Sequence, residues 1–104
     1  MEKELEIIKQ IIQEIVGENL SRIILFGSRA RGDYNKDSDY DLMVEIKNSI
    51  DINSKRLLRR LIVNKLAKNL IDVDIIIKSN IEILKFSQIA GTTTYNANKE
   101  GILL

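Results

Sequence analysis

Two groups of residues in the first half of the chain have the types and spacing needed for phosphate chemistry. Gly27 and Ser28 follow an apolar run, and a small-residue turn of this kind can bring N–H groups and a hydroxyl close to phosphate oxygens. Ten residues separate Ser28 from Asp39, and Asp41 follows two positions later. On a strand, side chains two positions apart leave the same face about 6.5 to 7 Å from each other. Two such carboxylates can hold the magnesium that phosphates carry. The pattern therefore indicates chemistry on a nucleoside triphosphate.

Each of these groups also has a common structural explanation when it is taken alone. A glycine after a strand usually marks a tight turn, and two aspartates often open a strand at the surface without binding a ligand. Arg29 and Arg31, between the two groups, could add charge-assisted contacts to phosphate, although loop arginines are usually solvated. The functional interpretation therefore depends on all of these residues acting together.

A third acidic residue lies inside a later apolar run. Asp74 is flanked by Val73 and Ile75, and an aspartate inside a strand is destabilising unless it is paired or binds a metal. It could complete a second metal site or take a proton from an attacking hydroxyl during an in-line displacement at phosphorus. Asp72 has the same strand parity as Asp74. We interpret Asp72 as structural, but parity alone leaves both residues open.

The composition narrows the chemistry that this chain can perform. It contains neither histidine nor cysteine, which excludes imidazole bases, Ser-His-Asp triads, thiol nucleophiles and zinc sites built from these residues. Catalysis must therefore use carboxylates, hydroxyls, Lys or Arg, together with a metal held by oxygen atoms. Oxygen ligands favour magnesium, manganese or calcium over zinc.

Length and charge limit the architecture and the binding partners. The 104 residues are enough for one modest core, and we predict a single domain over residues 1–104. The net charge of +1 provides no general basic field, so direct nucleic-acid binding is not expected. Apolar runs are far shorter than the roughly 20 residues that span a bilayer, and the N-terminus lacks a signal-peptide pattern. We therefore expect no membrane association and a cytoplasmic location.

Hydrophobic periodicity predicts alternating helices and strands. Apolar residues at helical spacing predict three helices: residues 2–16, residues 51–70, and a segment that begins near Asn80. Short apolar or alternating runs predict three strands: residues 22–26, 40–46 and 73–77. Ser79 and Glu82 match a capping box before the last helix. Residues 92–104 stay open between a break and a short helix. The alternation is typical of a single α/β domain.

The same patterns predict which side chains are packed. The middle strand should have one packed face, and its members are Tyr40, Leu42, Val44 and Ile46. The apolar stripe of the second long helix should consist of Leu57, Leu58, Leu61, Ile62, Leu66 and Leu70. Asp39 and Asp41 then point away from the packed face of their strand. A site built on them would face the opposite side of the sheet.

The combined pattern resembles a known family. Gly27-Ser28, ten residues, Asp39-x-Asp41 and a later Asp74 are similar to the motif of the nucleotidyltransferase superfamily related to DNA polymerase beta. Three further segments resemble its minimal branch, the minimal nucleotidyltransferases (MNT): residues 25–32, 37–42 and 98–104. The resemblance extends to the MntA-type antitoxins of HEPN/MNT toxin–antitoxin systems. It covers essentially the whole chain, and the composite motif is specific although its parts are not.

The resemblance implies a fold and a set of roles. The fold would be α/β (α+β), a small mixed β-sheet flanked by helices in the approximate order α-β-(short α or loop)-β-α-β-α. Members transfer a nucleoside monophosphate from a triphosphate to a hydroxyl and release pyrophosphate. The residues expected around the triphosphate are Gly27, Ser28, Arg29 and Arg31. The residues expected to be catalytic and to bind Mg²⁺, with two ions, are Asp39, Asp41 and Asp74.

The resemblance also implies a protein partner. Minimal members often act as antitoxins beside a HEPN-domain ribonuclease toxin. We therefore predict transfer of AMP from ATP to a hydroxyl, expected to be a tyrosine, of such a toxin, in a type VII-like pair that forms a hetero-oligomer. Two alternatives stay open: neutralisation of the toxin by contact without catalysis, and nucleotide transfer to a small molecule. Tyr34 could stack on a nucleobase, but a loop tyrosine is more often packed or at an interface.

Overall fold

A computed structural model describes residues 2–86 and 88–104 of the chain, except for the side chain of Glu2. The helices are Glu2–Val16 (α1), Gly27–Arg31 (α2), Ile52–Lys68 (α3), Asn80–Phe86 (α4) and Thr93–Glu100 (α5). The strands are Leu20–Phe26 (β1), Tyr40–Ile46 (β2), Val73–Ser79 (β3) and Ile102–Leu103 (β4). A 3-10 turn at Gly17–Asn19 connects α1 to β1. The predicted order of helices and strands is confirmed, with α5 and β4 added at the C-terminal end.

The four strands form a mixed sheet in the order β3-β2-β1-β4. β1 is antiparallel to both of its neighbours, whereas β2 and β3 are parallel and are connected through α3. Because β2 and β3 run in the same direction, both strands begin at the same end of the sheet. The first residues of these two strands are therefore brought side by side.

Helices α1 and α3 cover one face of the sheet and enclose the main core. The side chains that β2 contributes to it are those predicted: Tyr40, Leu42, Val44 and Ile46, all at most 1% exposed. The opposing helices contribute the buried residues Ile8, Ile11, Ile12, Ile62 and Leu66. Burial of these apolar surfaces is the main term that stabilises the sheet against the two helices.

The second face of the sheet is partly packed as well, which corrects the prediction of one packed face. Met43 of β2 is fully buried there with Ile24, Ile83 and Ala97. The cover comes from α4 and α5, which the sequence pattern predicted only in part. Glu45 is also buried on this face and accepts a hydrogen bond from Arg22 Nε at 2.5 Å. This face is open at the end of the sheet where β2 begins, and Asp74 is exposed there.

The predicted apolar stripe of the second long helix is wrong at three positions. Leu57 is 49% exposed, Leu61 is 46% exposed and Leu70 is 92% exposed. Leu70 lies beyond the end of α3 in a left-handed conformation with φ of +60°. Leu57 and Leu61 lie on the outward side of α3, because the neighbours of this helix reach only the side that carries Ile62 and Leu66.

Two local features fix the C-terminal part of the fold. The predicted capping box is confirmed: Glu82 N donates to Ser79 Oγ at 3.3 Å, and Ser79 N donates to Glu82 Oε1 at 3.1 Å. Thr92 caps α5 by accepting a hydrogen bond from Tyr95 N at 3.1 Å. These caps satisfy N–H groups that have no partner inside their helices.

The longest helix of the described residues, α3, contains 17 residues. It is strongly basic, with lysine or arginine at six of its positions and no acidic residue. In the part of the chain that the structure describes, no helix has the length and apolar character required to cross a membrane.

Candidate functional site

The parallel register of β2 and β3 sets two aspartates opposite each other. Asp41 of β2 pairs with Asp74 of β3, and Phe26 of β1 is the partner of Asp41 on the other side. Directly opposed residues on neighbouring strands point to the same face of the sheet. Asp41 is half-buried and Asp74 is exposed. The two carboxylates therefore share the open end of the face that carries Met43.

Asp72 occupies a different environment from Asp74. It precedes β3, and its carbonyl accepts a hydrogen bond from Tyr40 N at 3.1 Å. Asp72 lines a polar cavity of about 290 Å³ together with Glu4, Arg29 and Tyr40. The geometry thus favours Asp74 over Asp72 as the companion of Asp41, a choice that strand parity left open.

Asp41 is subject to the negative charges of both Asp74 and Asp39. The pKa of Asp41 is raised above its ordinary value, first by burial and then by the negative charges of Asp74 and Asp39; nearby Arg31 opposes the shift. Each of these negative charges makes ionisation of Asp41 more costly. A bound cation would relieve this repulsion, so the three carboxylates are suited to a positively charged ligand.

The donor chemistry of this cluster fits magnesium. All three side chains offer only carboxylate oxygens, which hard divalent cations prefer. Across residues 2–86 and 88–104, however, no three His, Cys, Asp or Glu side chains are gathered closely enough to hold one ion by themselves. Magnesium usually retains waters and uses one or two carboxylates together with substrate phosphates. The cluster matches that mode rather than a closed protein cage.

Gly27 lies directly against the carboxylate of Asp41. Its φ is +72°, in the left-handed region that favours glycine. A β-carbon at this position would collide with Asp41 Oδ2 and lie 3.0 Å from Asp41 Cγ. Both the backbone conformation and the close approach therefore require glycine here. The turn at Gly27 therefore restricts the position of the Asp41 side chain.

Ser28 follows in the first turn of the short helix α2. It is half-buried, and its hydroxyl makes no hydrogen bond to any residue that the structure describes. Its carbonyl accepts a hydrogen bond from Gly32 N at 2.9 Å, which closes the helix. The hydroxyl of Ser28 is thus available beside the Asp41 cluster for a ligand.

Arg29 has a structural role that the sequence analysis did not predict. It is only 8% exposed, and its guanidinium lies 4.5 Å from the ring centre of Tyr34 and 4.3 Å from that of Tyr40. It donates to Ser38 O at 2.9 and 3.2 Å and to Lys36 O at 3.5 Å. These contacts engage Nε and Nη2 of the guanidinium, which disfavours the predicted phosphate contact of Arg29. It holds the loop that leads into Asp39.

Arg31 remains at the surface close to the acidic cluster. Its Nε lies 3.2 Å from Asp33 Oδ2 and its Nη1 lies 3.5 Å from Glu100 Oε1. The hydrogen bond and charge of Asp33 raise the pKa of Arg31. Both pairs are exposed and hence weak. An anionic ligand at the cluster could therefore compete for Arg31.

Tyr40 connects the start of β2 to the first helix. Its hydroxyl donates to Glu4 Oε1 at 2.9 Å, and burial together with this hydrogen bond raises the pKa of Tyr40 to about 12. Through Glu4 and the Arg29 guanidinium on its ring, Tyr40 anchors the start of β2, where Asp39 and Asp41 flank it. Sequence reasoning assigned Tyr40 only to the core; the nearby Glu4 on helix α1 gave no readable signal.

A cavity of about 260 Å³ lies further along the face that carries Asp74. Its lining consists of Ile76, Lys78, Phe86, Thr92, Thr93 and Thr94. Ile76 follows Asp74 by two residues on β3 and therefore points to the same face. No local sequence pattern indicates this cavity, because its walls come from β3, α4 and the start of α5.

Comparison with solved structures places this fold among nucleotidyltransferases. A structure from Sulfolobus solfataricus, provisionally described as that of a nucleotidyltransferase, aligns with a TM-score of 0.58 and 26% identity, over 98% of this chain and 82% of that chain. Two further neighbours show the fold alone. One is a toxin–antitoxin structure with AMP-PNP, with a TM-score of 0.59 and 24% identity over 96% of this chain and 70% of that chain.

The other structural neighbour is a tri-AMPylated HEPN toxin in complex with an MNT antitoxin from Shewanella oneidensis. It aligns with a TM-score of 0.51 and 22% identity, over 96% of this chain and 66% of that chain. A curated relative from Methanocaldococcus jannaschii, provisionally named a protein adenylyltransferase, is 42% identical over 55 residues. That match spans 50% of this chain and about half, 56%, of the relative's length.

The fold is thus that of the nucleotidyltransferases. A family model described as "Nucleotidyltransferase domain" matches residues 5–98, which is most of the chain. The chain belongs to this family. The match includes the glycine–serine turn and all three aspartates of the cluster.

Proposed function

We propose that this chain transfers AMP from ATP to a hydroxyl group, a tyrosine, on a HEPN-type partner toxin and thereby acts as its antitoxin. The observation that carries the proposal is the opposed pair of Asp41 and Asp74 beneath the Gly27 turn. Membership of the nucleotidyltransferase family supports the type of reaction. The adenylyltransferase name of the curated relative supports a protein acceptor.

The residues of the turn would bind the triphosphate. Gly27 allows the chain to approach closely, Ser28 offers a hydroxyl without a partner among the described residues, and Arg31 offers a positive charge at the rim. An arginine in two weak surface ion pairs can exchange them for a phosphate contact at little cost. Arg29 would act indirectly, by holding the loop that leads to Asp39.

The carboxylates would act at the reacting phosphorus. Asp39 and Asp41, with Asp74, would hold magnesium, and two ions are expected. When bound, magnesium supplies charge stabilisation to the phosphate oxygens during the displacement. The acceptor oxygen forms a bond to the α-phosphorus while the bond to the pyrophosphate oxygen breaks. Asp74 accepts the hydroxyl proton, and pyrophosphate leaves.

The proposed partner rests on the kinship with MNT proteins. Two structural neighbours come from toxin–antitoxin assemblies, and one of these contains a HEPN toxin that carries AMP groups. The acidic cluster is open at one end of the sheet, where Asp39 and Asp74 are exposed. A side chain on another protein can reach such an open site, whereas a small acceptor would find few walls there.

The proposal is tested with the chain, a co-expressed HEPN partner, magnesium and ATP labelled on the α-phosphate. We expect label on the partner, and we expect Asp39→Asn with Asp41→Asn to lower the initial rate by at least about 100-fold. Lys9→Gln with Lys47→Gln is the control: both sites are exposed, Lys9 lies on α1, and Lys47 follows the end of β2 opposite to the end that carries Asp41. Equal labelling by the double aspartate variant would refute the mechanism.

A growth assay separates catalysis from neutralisation by contact. If transfer neutralises the toxin, cells that express the partner with the Asp39/Asp41 variant should not recover. Full recovery with that variant, together with loss of labelling in the assay above, would favour contact. Labelling of a small alcohol in the absence of any partner protein would instead favour a small-molecule acceptor.

A further inference from the structure

Charge in this chain is concentrated on one helix. Helix α3 holds six of the 16 lysines and arginines and none of the 15 acidic residues, so the rest of the chain has ten basic and 15 acidic residues. Lys55 is paired with Glu82 at 2.6 Å. The other five have no ion-pair partner among the described side chains: Arg56, Arg59, Arg60, Lys65 and Lys68. Although the chain as a whole is nearly neutral, helix α3 thus exposes a local basic surface.

Two leucines lie within this basic surface. Leu57 and Leu61 are one helical turn apart, so they project from the same side of α3, and about half of each side chain is exposed. Arg56 and Arg60 flank them at the same spacing. The two side chains therefore form a small apolar patch within the basic surface.

Two depressions lie along the outward side of α3. The first, of about 460 Å³, is lined by Arg56, Arg59, Arg60, Val63 and Asn64. The second, of about 410 Å³, lies between α3 and α1 and is lined by Glu14, Ile15, Leu61, Asn64, Lys65 and Lys68. Asn64 borders both. Leu61 lines the second depression, and Leu57 lies one helical turn before it. We call the two depressions together with these leucines the α3 groove.

We propose that the α3 groove is a docking surface for an acidic amphipathic helix of a partner protein, with apolar residues of that helix on Leu57 and Leu61. Charge complementarity supports this occupant: the two depressions are lined by five cations without a described ion-pair partner, and Glu14 is the only acidic residue among their lining residues. Complementary charge of this kind guides association and selects the partner. The inference goes beyond nucleotide transfer, because it does not use the acidic cluster.

The position of the groove leaves the acidic cluster accessible. Helix α3 packs on the sheet face that carries Leu42 and Val44, whereas Asp41 and Asp74 point to the opposite face. A helix bound in the α3 groove would therefore not cover the carboxylates. Docking and nucleotide transfer can occur on the same molecule at the same time.

The groove fits a protein better than a nucleic acid. Single-stranded nucleic acids are usually held by aromatic side chains that stack on the bases, and α3 contains no aromatic residue. The centre of the surface consists of leucines, which contribute nothing to phosphate binding. Apolar residues at the centre with charges at the rim are typical of a protein interface.

The test uses the full chain and a fluorescent 18-residue helical peptide with leucines at i, i+4 spacing and glutamates on both sides. Binding is measured by anisotropy at two salt concentrations. We expect Arg56→Glu with Arg60→Glu, and separately Leu57→Ser with Leu61→Ser, each to weaken binding at least about tenfold. Lys9→Glu with Lys47→Glu makes the same change in net charge elsewhere on the surface and is the control.

Several results would overturn the proposal. These are no saturable binding of the peptide by the parent chain, unchanged binding by both α3 variants, an equal loss in the Lys9/Lys47 control, and tighter binding of a 20-nucleotide single-stranded RNA than of the peptide. Circular dichroism and thermal unfolding of every variant are measured in parallel. Because the substituted side chains are exposed, we expect each variant to remain folded, and the leucine variant tests the groove without changing its charge.

Discussion

Asp41 and Asp74 lie opposite each other on neighbouring parallel strands, and the backbone of Gly27 closes over the Asp41 carboxylate. This relationship joins three segments that are far apart in the sequence. It places like charges side by side at the open end of one sheet face. A cation bound there would offset the negative charges of the aspartates and of a polyphosphate. The experiments below test its consequences.

Asp74 and Asp72 are the two candidates for the third carboxylate, and their replacement should have very different effects on the rate of AMP transfer. We expect Asp74→Asn to reduce the rate of AMP transfer by at least about 100-fold, because Asp74 shares the face of Asp41. Asp72→Asn, in a separate polar cavity, should stay within about threefold of the parent. The measurement is the initial rate at saturating ATP and magnesium. A loss with Asp72→Asn as large as that with Asp74→Asn would reverse the assignment.

Gly27→Ala should abolish AMP transfer, and Gly17→Ala is the matched control that separates backbone strain from the collision with Asp41. Gly27 and Gly17 have almost the same φ, +72° and +69°, so alanine strains the backbone similarly at both positions, by about 1 kcal/mol. At Gly17 a β-carbon meets no atom within 4 Å, whereas at Gly27 it collides with Asp41. Both variants should be less stable in urea unfolding, but only Gly27→Ala should lose activity. Similar activities for the two would show that the contact with Asp41 is unimportant.

The raised pKa of Asp41 predicts how stability changes with pH. An acid whose pKa is higher in the folded state binds more protons when folded, in the window between its unfolded and folded pKa values. Stability from this group is therefore present at low pH and falls as pH rises from the ordinary value of 3.8 through the raised one. Asp41→Asn removes this loss, so its melting temperature at neutral pH should exceed that of the parent.

Magnesium bound at Asp41 should stabilise the folded protein. In thermal unfolding at pH 7, addition of magnesium with a non-hydrolysable ATP analogue should raise the melting temperature of the parent. The Asp41→Asn variant should respond much less, because a ligand of the ion is missing. An equal rise in parent and variant would mean that the ion or nucleotide binds elsewhere.

Arg29 should contribute mainly to stability. Arg29→Met removes two ring contacts and the hydrogen bonds to Ser38 and Lys36, and we expect a loss of about 2 to 3 kcal/mol in the free energy of unfolding. Arg31→Met, at an exposed site, should change stability by less than about 0.5 kcal/mol and should instead raise KM for ATP. If Arg29→Met instead raised KM for ATP with little change in stability, Arg29 would be assigned as a phosphate contact.

Much of the fold follows from local patterns in the sequence. The helix at residues 2–16, the strand that begins at Tyr40 and the capping box of Ser79 and Glu82 were predicted correctly, because periodicity and capping act over a few residues. The exposure of Leu57 and Leu61 was not predicted. Periodicity identifies an apolar side of a helix, but only the neighbours of that helix decide how much of the side is covered.

The sequence by itself determined the chemistry available to this protein. With neither histidine nor cysteine, a glycine–serine turn and three aspartates in the right order, it indicated an oxygen-bound metal, a nucleotide and the family. Tertiary structure alone decided that Asp74 rather than Asp72 faces Asp41, and that Arg29 is held between Tyr34 and Tyr40. Residue types limit which reactions are possible. The pairing of distant strands and the packing between them fix which atoms meet, because those contacts depend on the whole chain.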